Sequence, residues 1–329
     1  MLTLATALLA AAAISSPTGV PTEVLSVGTT PQERGPDWVV RSQSVQGSWA
    51  GDAEVGEVGT TALMLLGFLG DGGTTTAGPF KGAIAKGFGW LEGQADPDSG
   101  LLGSSAEGEA RLLEHAWATL AFSELLVLEP QAKVGISVQQ RSVKALLAQQ
   151  REDGSFGDAR TTAWSAFALV SAKDSKAAVP DEALLRARKV LMSMVPTPPE
   201  PSQAKAGELA FRALLGFMIV DPDDAHPERG DRAAVEALGR LLQRDGVWTE
   251  LNSEQRMLVA YASFQCGGDH WKRASAGIKA VVLPKQIRRA DPPHGGFPAE
   301  STLGAHRATA FGVMTLEVYF RYARIIGAR

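Results

Sequence analysis

Ten residues in this 329-residue chain have the side chains and spacing to do chemistry or hold a ligand. Glu114 and His115 are adjacent near the start of an apolar stretch, and Asp158 precedes Thr161 and Thr162 at the start of another. A carboxyl and an imidazole at such positions could act as general acid and base, so Asp158, Glu114 and His115 are the candidate acid–base groups. Each also has a plain structural reading. Carboxylates suit helix N-termini electrostatically, Asp158 is placed to cap the helix that follows, and a histidine on an apolar helix is commonly a satisfied core residue. Trp117, Thr161, Trp164, Arg256, Tyr261, His306 and Arg307 lie within about two turns of the same helix starts and are the candidate walls of a binding cavity. Arg307 opens a mostly apolar stretch, so it needs solvent, an anionic ligand, or a carboxylate such as Glu254 or Glu300.

Two further clusters carry less. Asp221-Pro222-Asp223-Asp224 has the carboxylates of a proton donor, but it runs into Ala225-His226-Pro227-Glu228-Arg229, a polar loop sequence in which acids keep ordinary acidity. Cys266, Asp269 and His270 are neighbours without metal-ligand spacing, and Cys266 is the single cysteine, so neither a metal nor another cofactor is expected. Net charge is −4 with no dense Lys/Arg stripe, which argues against nucleic acid as a partner.

The elements that must position these residues repeat. A glycine followed by an aromatic or apolar residue recurs about every fifty residues, at Gln46-Gly47-Ser48-Trp49, Gly100-Leu101-Leu102, Gly154-Ser155-Phe156, Gly246-Val247-Trp248 and Gly295-Gly296-Phe297. Only the fourth turn lacks the marker; there the loop is Pro-rich, Pro196 to Pro201. After each turn comes a small-residue-rich stretch that is apolar nearly all round: 56–69, 112–127, 160–172, 205–220, 252–266 and 305–324. Such helices must be covered by protein on both faces or line a cavity. Between them lie amphipathic helices at 80–94, 137–150, 181–194, 231–243 and 271–287; Val138, Val143, Leu146 and Leu147 illustrate the one-sided pattern. The periodicity predicts an all-α protein, an α/α toroid of six inner and five to six outer helices, with the sixth outer helix supplied before Trp49 or missing.

The markers resemble the QW motifs of squalene cyclases, and residues 46–329 are similar to the prenyltransferase and squalene-oxidase repeat family, closest to bacterial members of unassigned role. Val58-Gly59-Thr60-Thr61-Ala62-Leu63, Glu114-His115-Ala116-Trp117-Ala118-Thr119-Leu120-Ala121, Thr161-Thr162-Ala163-Trp164-Ser165 and Thr315-Leu316-Glu317-Val318-Tyr319-Phe320-Arg321-Tyr322 carry the resemblance. It implies a central apolar cavity of the kind that binds isoprenoid chains, and a marker glutamine capping backbone groups at each helix junction. The family's cyclases open an inner helix with an Asp-x-Asp-Asp acid; here that sequence follows one. The family's zinc transferases use an Asp, Cys and His that this chain does not space correctly.

The expected function is therefore a non-catalytic repeat protein that binds an apolar or isoprenoid-like ligand, or a protein partner, through its cavity or rim. The alternative is an isoprenoid cyclase or prenyl transferase with diverged acids. Residues 1–17 contain an apolar run, Leu4 to Ile14, too short to span a bilayer and followed by small residues, which reads as a signal peptide or truncated anchor. Export to the periplasm or cell envelope is the matching expectation, with no transmembrane helix in the mature chain. Residues 18–45, rich in Gly, Pro, Ser and Thr, read as a polar tether.

Overall fold

The structure is a computed structural model that describes residues 31–103, 108–197, 200–221, 230–287 and 295–319. Those residues form thirteen helices and no β-strand, only an isolated bridge between Ala95 and Leu102. The sequence pattern expected near-total burial for one set of helices, and it is observed. In α2 (Glu57–Gly70) every residue from Val58 onward is buried, and in α4 (Gly108–Leu128) the buried run is Leu113 to Leu126. The set continues with α6 (Ala159–Asp174), α8 (Ala206–Met218), α11 (Ser253–Cys266) and α13 (Ala305–Glu317). Each fully buried Leu, Phe or Val contributes roughly 1.5–3 kcal/mol relative to exposure.

The second set alternates with it. It comprises α3 (Lys81–Glu92), α5 (Ile136–Ala148), α7 (Asp181–Met194) and α9 (Arg232–Leu241). After the one-turn α10 (Val247–Glu250) comes α12 (Gly268–Gly277), which runs on through a π turn, Ile278–Val282, into Leu283–Lys285. These helices bury one face only; α5 buries Val138, Ser142, Val143 and Leu146 while Arg141 and Lys144 are exposed.

Residues 18–45 do not all act as a tether. Pro31–Arg41 is a helix, α1, that packs on α13 and on α2. Its anchors are Trp38 and Val39, both buried. Two apolar side chains in a polar stretch are a weak periodic signal, so docking rather than composition makes this helix. It is the sixth helix of the one-sided second set.

The buried helices pack in chain order: α2 on α4, α4 on α6, α6 on α8, α8 on α11, α11 on α13, and α13 back on α2. Each also packs on a helix of the second set, chiefly α3 on α2, α5 on α4, α7 on α6, α9 on α8, α12 on α11 and α1 on α13. No buried helix leaves an apolar face open, which is what a unit unable to cover itself requires.

The markers build the junctions between hairpins, in a form more regular than their sequences. The backbone N–H of Trp49 donates to Thr61 Oγ1 (3.0 Å), that of Phe156 to Thr162 Oγ1 (3.0 Å), and that of Phe297 to Thr309 Oγ1 (2.9 Å). Each acceptor sits in the first turns of the following buried helix. A glutamine does cap carbonyls here, but at the first junction it is Gln43 rather than Gln46: Gln43 Nε2 donates to the Gly47 and Ala83 carbonyls. Gln150 repeats the pair on Gly154 and Ala183, and Gln286 reaches Gly295. The marker rings seat on glycines, where a side chain would collide; a Cβ at Gly312 would lie 2.6 Å from the Phe297 ring. The fourth junction, without a marker, is held instead by buried Arg212, which pairs with Asp231 and donates to the Val195 carbonyl (2.6 Å).

Candidate functional site

At the N-terminal ends of the buried helices the charged side chains pair with one another. Asp52, in the turn before α2, accepts from the Glu54 and Val55 backbone N–H groups through Oδ1, which shapes the turn. Its Oδ2 accepts from Arg307 Nε (2.6 Å) and from the Gly304 N–H (2.8 Å). Arg307 Nη2 reaches Asp52 Oδ1 and Glu54 Oε2, both at 2.9 Å. Glu54 Oε1 accepts from Arg160 Nη1 (2.6 Å), and Arg160 holds Glu254 with two further donors, Nε at 2.9 Å and Nη2 at 2.6 Å. Glu254 Oε1 also accepts from Trp164 Nε1 (2.8 Å), and the Arg160 guanidinium lies 5.7 Å from the Trp117 ring centre.

The result is one chain of charge, Asp52–Arg307–Glu54–Arg160–Glu254, that links α13, α6 and α11 through the turn before α2. Burial pushes the Asp52 carboxyl up, but hydrogen bonds from Arg307, Gly304, Glu54 and Val55 outweigh it and hold it below the ordinary value. Burial likewise pushes the Glu54 carboxyl up, but Arg160 and Arg307 outweigh it and hold it below the ordinary value. For Arg160, burial is outweighed by Glu254 and Glu54, which raise it. Three carboxylates face two guanidiniums, so the network has no positive excess with which to attract an anion. The need of Arg307 for an anionic partner is met by Asp52 and Glu54, not by Glu254 or Glu300. Glu300 belongs to Arg256 (2.9 Å) and to Ser253.

Below this network the centre is filled. The Trp164 ring is 4.8 Å from Phe211 at 79°, 5.7 Å from Trp117 at 86° and 6.0 Å from Phe167 at 70°. Phe311 closes on Trp117 at 6.2 Å. Edge-to-face rings of this kind are a packed core rather than the wall of an empty chamber. A gap among the described residues touches Trp164, Phe167, Leu120, Met257, Tyr261 and Met314 among others, and its volume is about 10 Å³. That is about the space one water molecule needs.

The structure thus brings Trp117, Trp164 and Tyr261 to the centre and Arg256 and Arg307 to the charged end. Thr161 is buried, its N–H donating to Asp158 Oδ1 (2.7 Å), so Asp158 is the N-cap of α6. Glu114 is buried and accepts from the Gly56 N–H (2.6 Å). His306 turns outward: it stacks on Trp38 of α1 at 5.3 Å, and its Nδ1 lies 3.1 Å from the Ala50 carbonyl. Burial, partly offset by that carbonyl, lowers its pKa.

His115 is a junction residue. It stands where the other junctions have Thr61, Thr162 and Thr309, and its Nδ1 accepts from the Leu102 N–H (2.9 Å). An accepting Nδ1 puts the proton on Nε2, which lies 3.0 Å from the Ser142 carbonyl. Burial pushes its pKa down to about 4, against the pull of that carbonyl, so the ring is neutral at pH 7. Both nitrogens are occupied.

Cys266 ends α11 half-buried, its thiol pushed up to about 12 by burial, while His270 Nε2 lies 3.0 Å from the Val235 carbonyl. Of Asp221-Pro222-Asp223-Asp224, only Asp221 is among the described residues, three positions beyond the end of α8; the rest of the motif lies outside them, as do residues 1–30 and 320–329.

Sequence reasoning passed over Glu124. It lies inside Ala121-Phe122-Ser123-Glu124-Leu125-Leu126, fully buried in α4, with Oε1 accepting from Ser171 Oγ (2.7 Å). Burial pushes its carboxyl up to about 7, with Asp174 adding repulsion and Ser171 opposing. The signal was available: an acid inside the apolar half of a helix with no polar face has to be buried. No protein-family model matches this chain, and no curated protein matches it.

Proposed function

We propose that this chain is an α/α toroid of the squalene-cyclase and prenyltransferase repeat kind that works as a non-catalytic scaffold, engaging a protein partner through its rim. The closed order of helix packing and the repeated junctions support the toroid. The observation that carries the non-catalytic reading is the centre: five aromatic rings fill it and leave about 10 Å³. An isoprenoid chain needs a pocket of hundreds of Å³, roughly 300 or more for a drug-sized ligand. The charged end supports the same reading, because its three carboxylates and two guanidiniums pair with one another, leaving the buried Arg307 Nη1 without a partner among the described residues. Export of the mature chain belongs to the proposal, on the apolar run Leu4 to Ile14. No described helix is long and apolar enough to cross a membrane.

Native mass spectrometry of the purified protein, incubated with lipid extract from its host and separately with farnesol, tests it. The expected spectrum has the bare protein mass alone. A retained isoprenoid adduct at one per chain overturns the filled-centre reading.

One observation favours an enzyme instead. Glu124 is a buried acid with a raised pKa, and such a group can deliver a proton to an alkene. An isoprenoid cyclase with diverged acids would convert farnesol-derived or squalene substrates to cyclised products, and Glu124→Gln would abolish that. Absence of any cyclised product from the intact protein removes this reading.

A further inference from the structure

Glu124 belongs neither to the charge network nor to the junctions. On α4 it lies two turns past Trp117 and one turn past Leu120, so all three share a face. Its partner Ser171 lies one turn past Phe167 on α6. Glu124 Oε2 is buried with no hydrogen-bond partner, and so is Asp174 Oδ2, at the end of α6. A carboxylate in such a place, with one neutral hydrogen bond, is costly to ionise unless a cation stands beside it.

Among the described residues, no cation faces it from the helices packed on α4. On α6, Lys173 is exposed and bonds Asp181, and the exposed Lys176 beyond the helix acts on Asp174. On α5, Arg141 and Lys144 are exposed, while buried Gln139 donates to Ser123 and Ser175. The titratable residue of α2 is Glu57, at its opposite end, where it accepts from Ser48. Just past α4, Glu129 is taken by Thr75 and Thr76, and on α4 itself Glu109, Arg111, Glu114 and His115 stand at the other end.

We propose that Glu124, Ser171 and Asp174 form a proton-operated latch on the α4–α6 seam, closed while Glu124 keeps its proton and loosened when it ionises. Burial pushes Glu124 from 4.5 up to about 7 and raises Asp174 as well. A rise of that size is a proton held roughly 300-fold more tightly. The folded chain binds this proton better than the unfolded chain, so the stabilisation is full below pH 4.5 and is lost as the pH rises through about 7. The seam in question runs beside Leu120 and Phe167, which border the central gap. The latch therefore places a pH-sensitive joint beside a gap in the core.

Carbon-13 NMR of the side-chain carboxyls in the full chain, assigned through bonds, reads Glu124 directly and needs no variant. The expected midpoint lies between about pH 6 and 8, and a midpoint below about 5 overturns the proposal. Hydrogen exchange, corrected for the intrinsic pH dependence, reads the seam. Exchange across 120–128 and 166–175 should rise about tenfold between pH 6 and 8.5 in the natural protein, and should stay level in Glu124→Gln. A level natural protein, or a Glu124→Gln variant with the same rise, overturns it. Should Glu124→Gln not fold, Asp174→Asn serves: removing the repulsion must lower the Glu124 midpoint, and an unmoved midpoint refutes the part given to Asp174.

Discussion

Asp52→Asn is the sharpest test of the charge network, because the substitution keeps the size of the side chain and removes only its charge. Arg307 is 0% exposed and Asp52 is 18% exposed at the side chain, so water can do little to replace the lost partner. Asp52 accepts from four groups: Arg307, Gly304, Glu54 and Val55. An asparagine has one accepting oxygen, so either the Arg307 Nε and Gly304 donors or the Arg307 Nη2, Glu54 and Val55 donors lose their acceptor, and a donating amide faces them. Removing one partner of a buried pair costs about 3–5 kcal/mol. Glu54 still holds Arg307 Nη2 at 2.9 Å, which places the expected loss at the lower end, about 3 kcal/mol. Urea unfolding with linear extrapolation measures it, and the midpoint should fall with the slope unchanged. The loss should persist in 1 M KCl, since a pair this enclosed is poorly screened. Arg307→Met should cost a similar amount. The double variant should then cost less than the sum by about 1.5–3 kcal/mol, because the second substitution removes a group already orphaned. A loss under about 0.5 kcal/mol for Asp52→Asn, or strict additivity in the double variant, refutes the reasoning.

His115 should impose its own acid sensitivity. The folded chain binds this proton more weakly than the unfolded chain, so the stabilisation is full above pH 6.5 and is lost as pH falls through about 4, a total of about 3 kcal/mol. Stability curves of the natural protein and His115→Gln that run parallel from pH 7 to 4 would contradict it. Thr162→Val and Thr309→Val each remove the hydroxyl that accepts a buried marker N–H, and each should cost about 1–3 kcal/mol in chemical denaturation. Equal stability to the natural protein would mean the junction bonds are made by something else. Phe311→Ala should cost about 3–5 kcal/mol and open an apolar space beside Trp117 and Trp164. Benzene should then raise the melting temperature of the variant and not of the natural protein; no difference between them would show that the core collapses around the change.

Helix content was readable in the chain because two local periodicities carry it. The α2 run Thr61-Ala62-Leu63-Met64-Leu65-Leu66 has no polar face, and α5 has one, so burial class follows from side-chain spacing alone. Marker glycines and capping residues also act locally, which is why Asp158 could be foreseen as a cap. The glutamine of the first junction could not: Gln43 and Gln46 are both present, and only the approach of Ala83 from another helix selects Gln43. The same holds for α1, whose Trp38 and Val39 have nothing to bury against until α13 is in place.

The chemistry of the candidate residues was decided entirely at long range. Arg307 meets Asp52 255 positions away, and Arg160 meets Glu254 94 positions away. Whether a buried guanidinium calls for a ligand or for a neighbour depends on which carboxylate arrives, and spacing along the chain says nothing about that. Local periodicity dictated that helices form and which must be hidden, since those are energies of a residue and its near neighbours. Packing alone dictated that the centre is filled and the charges are paired, because both are sums over contacts between segments that meet only after the chain has folded.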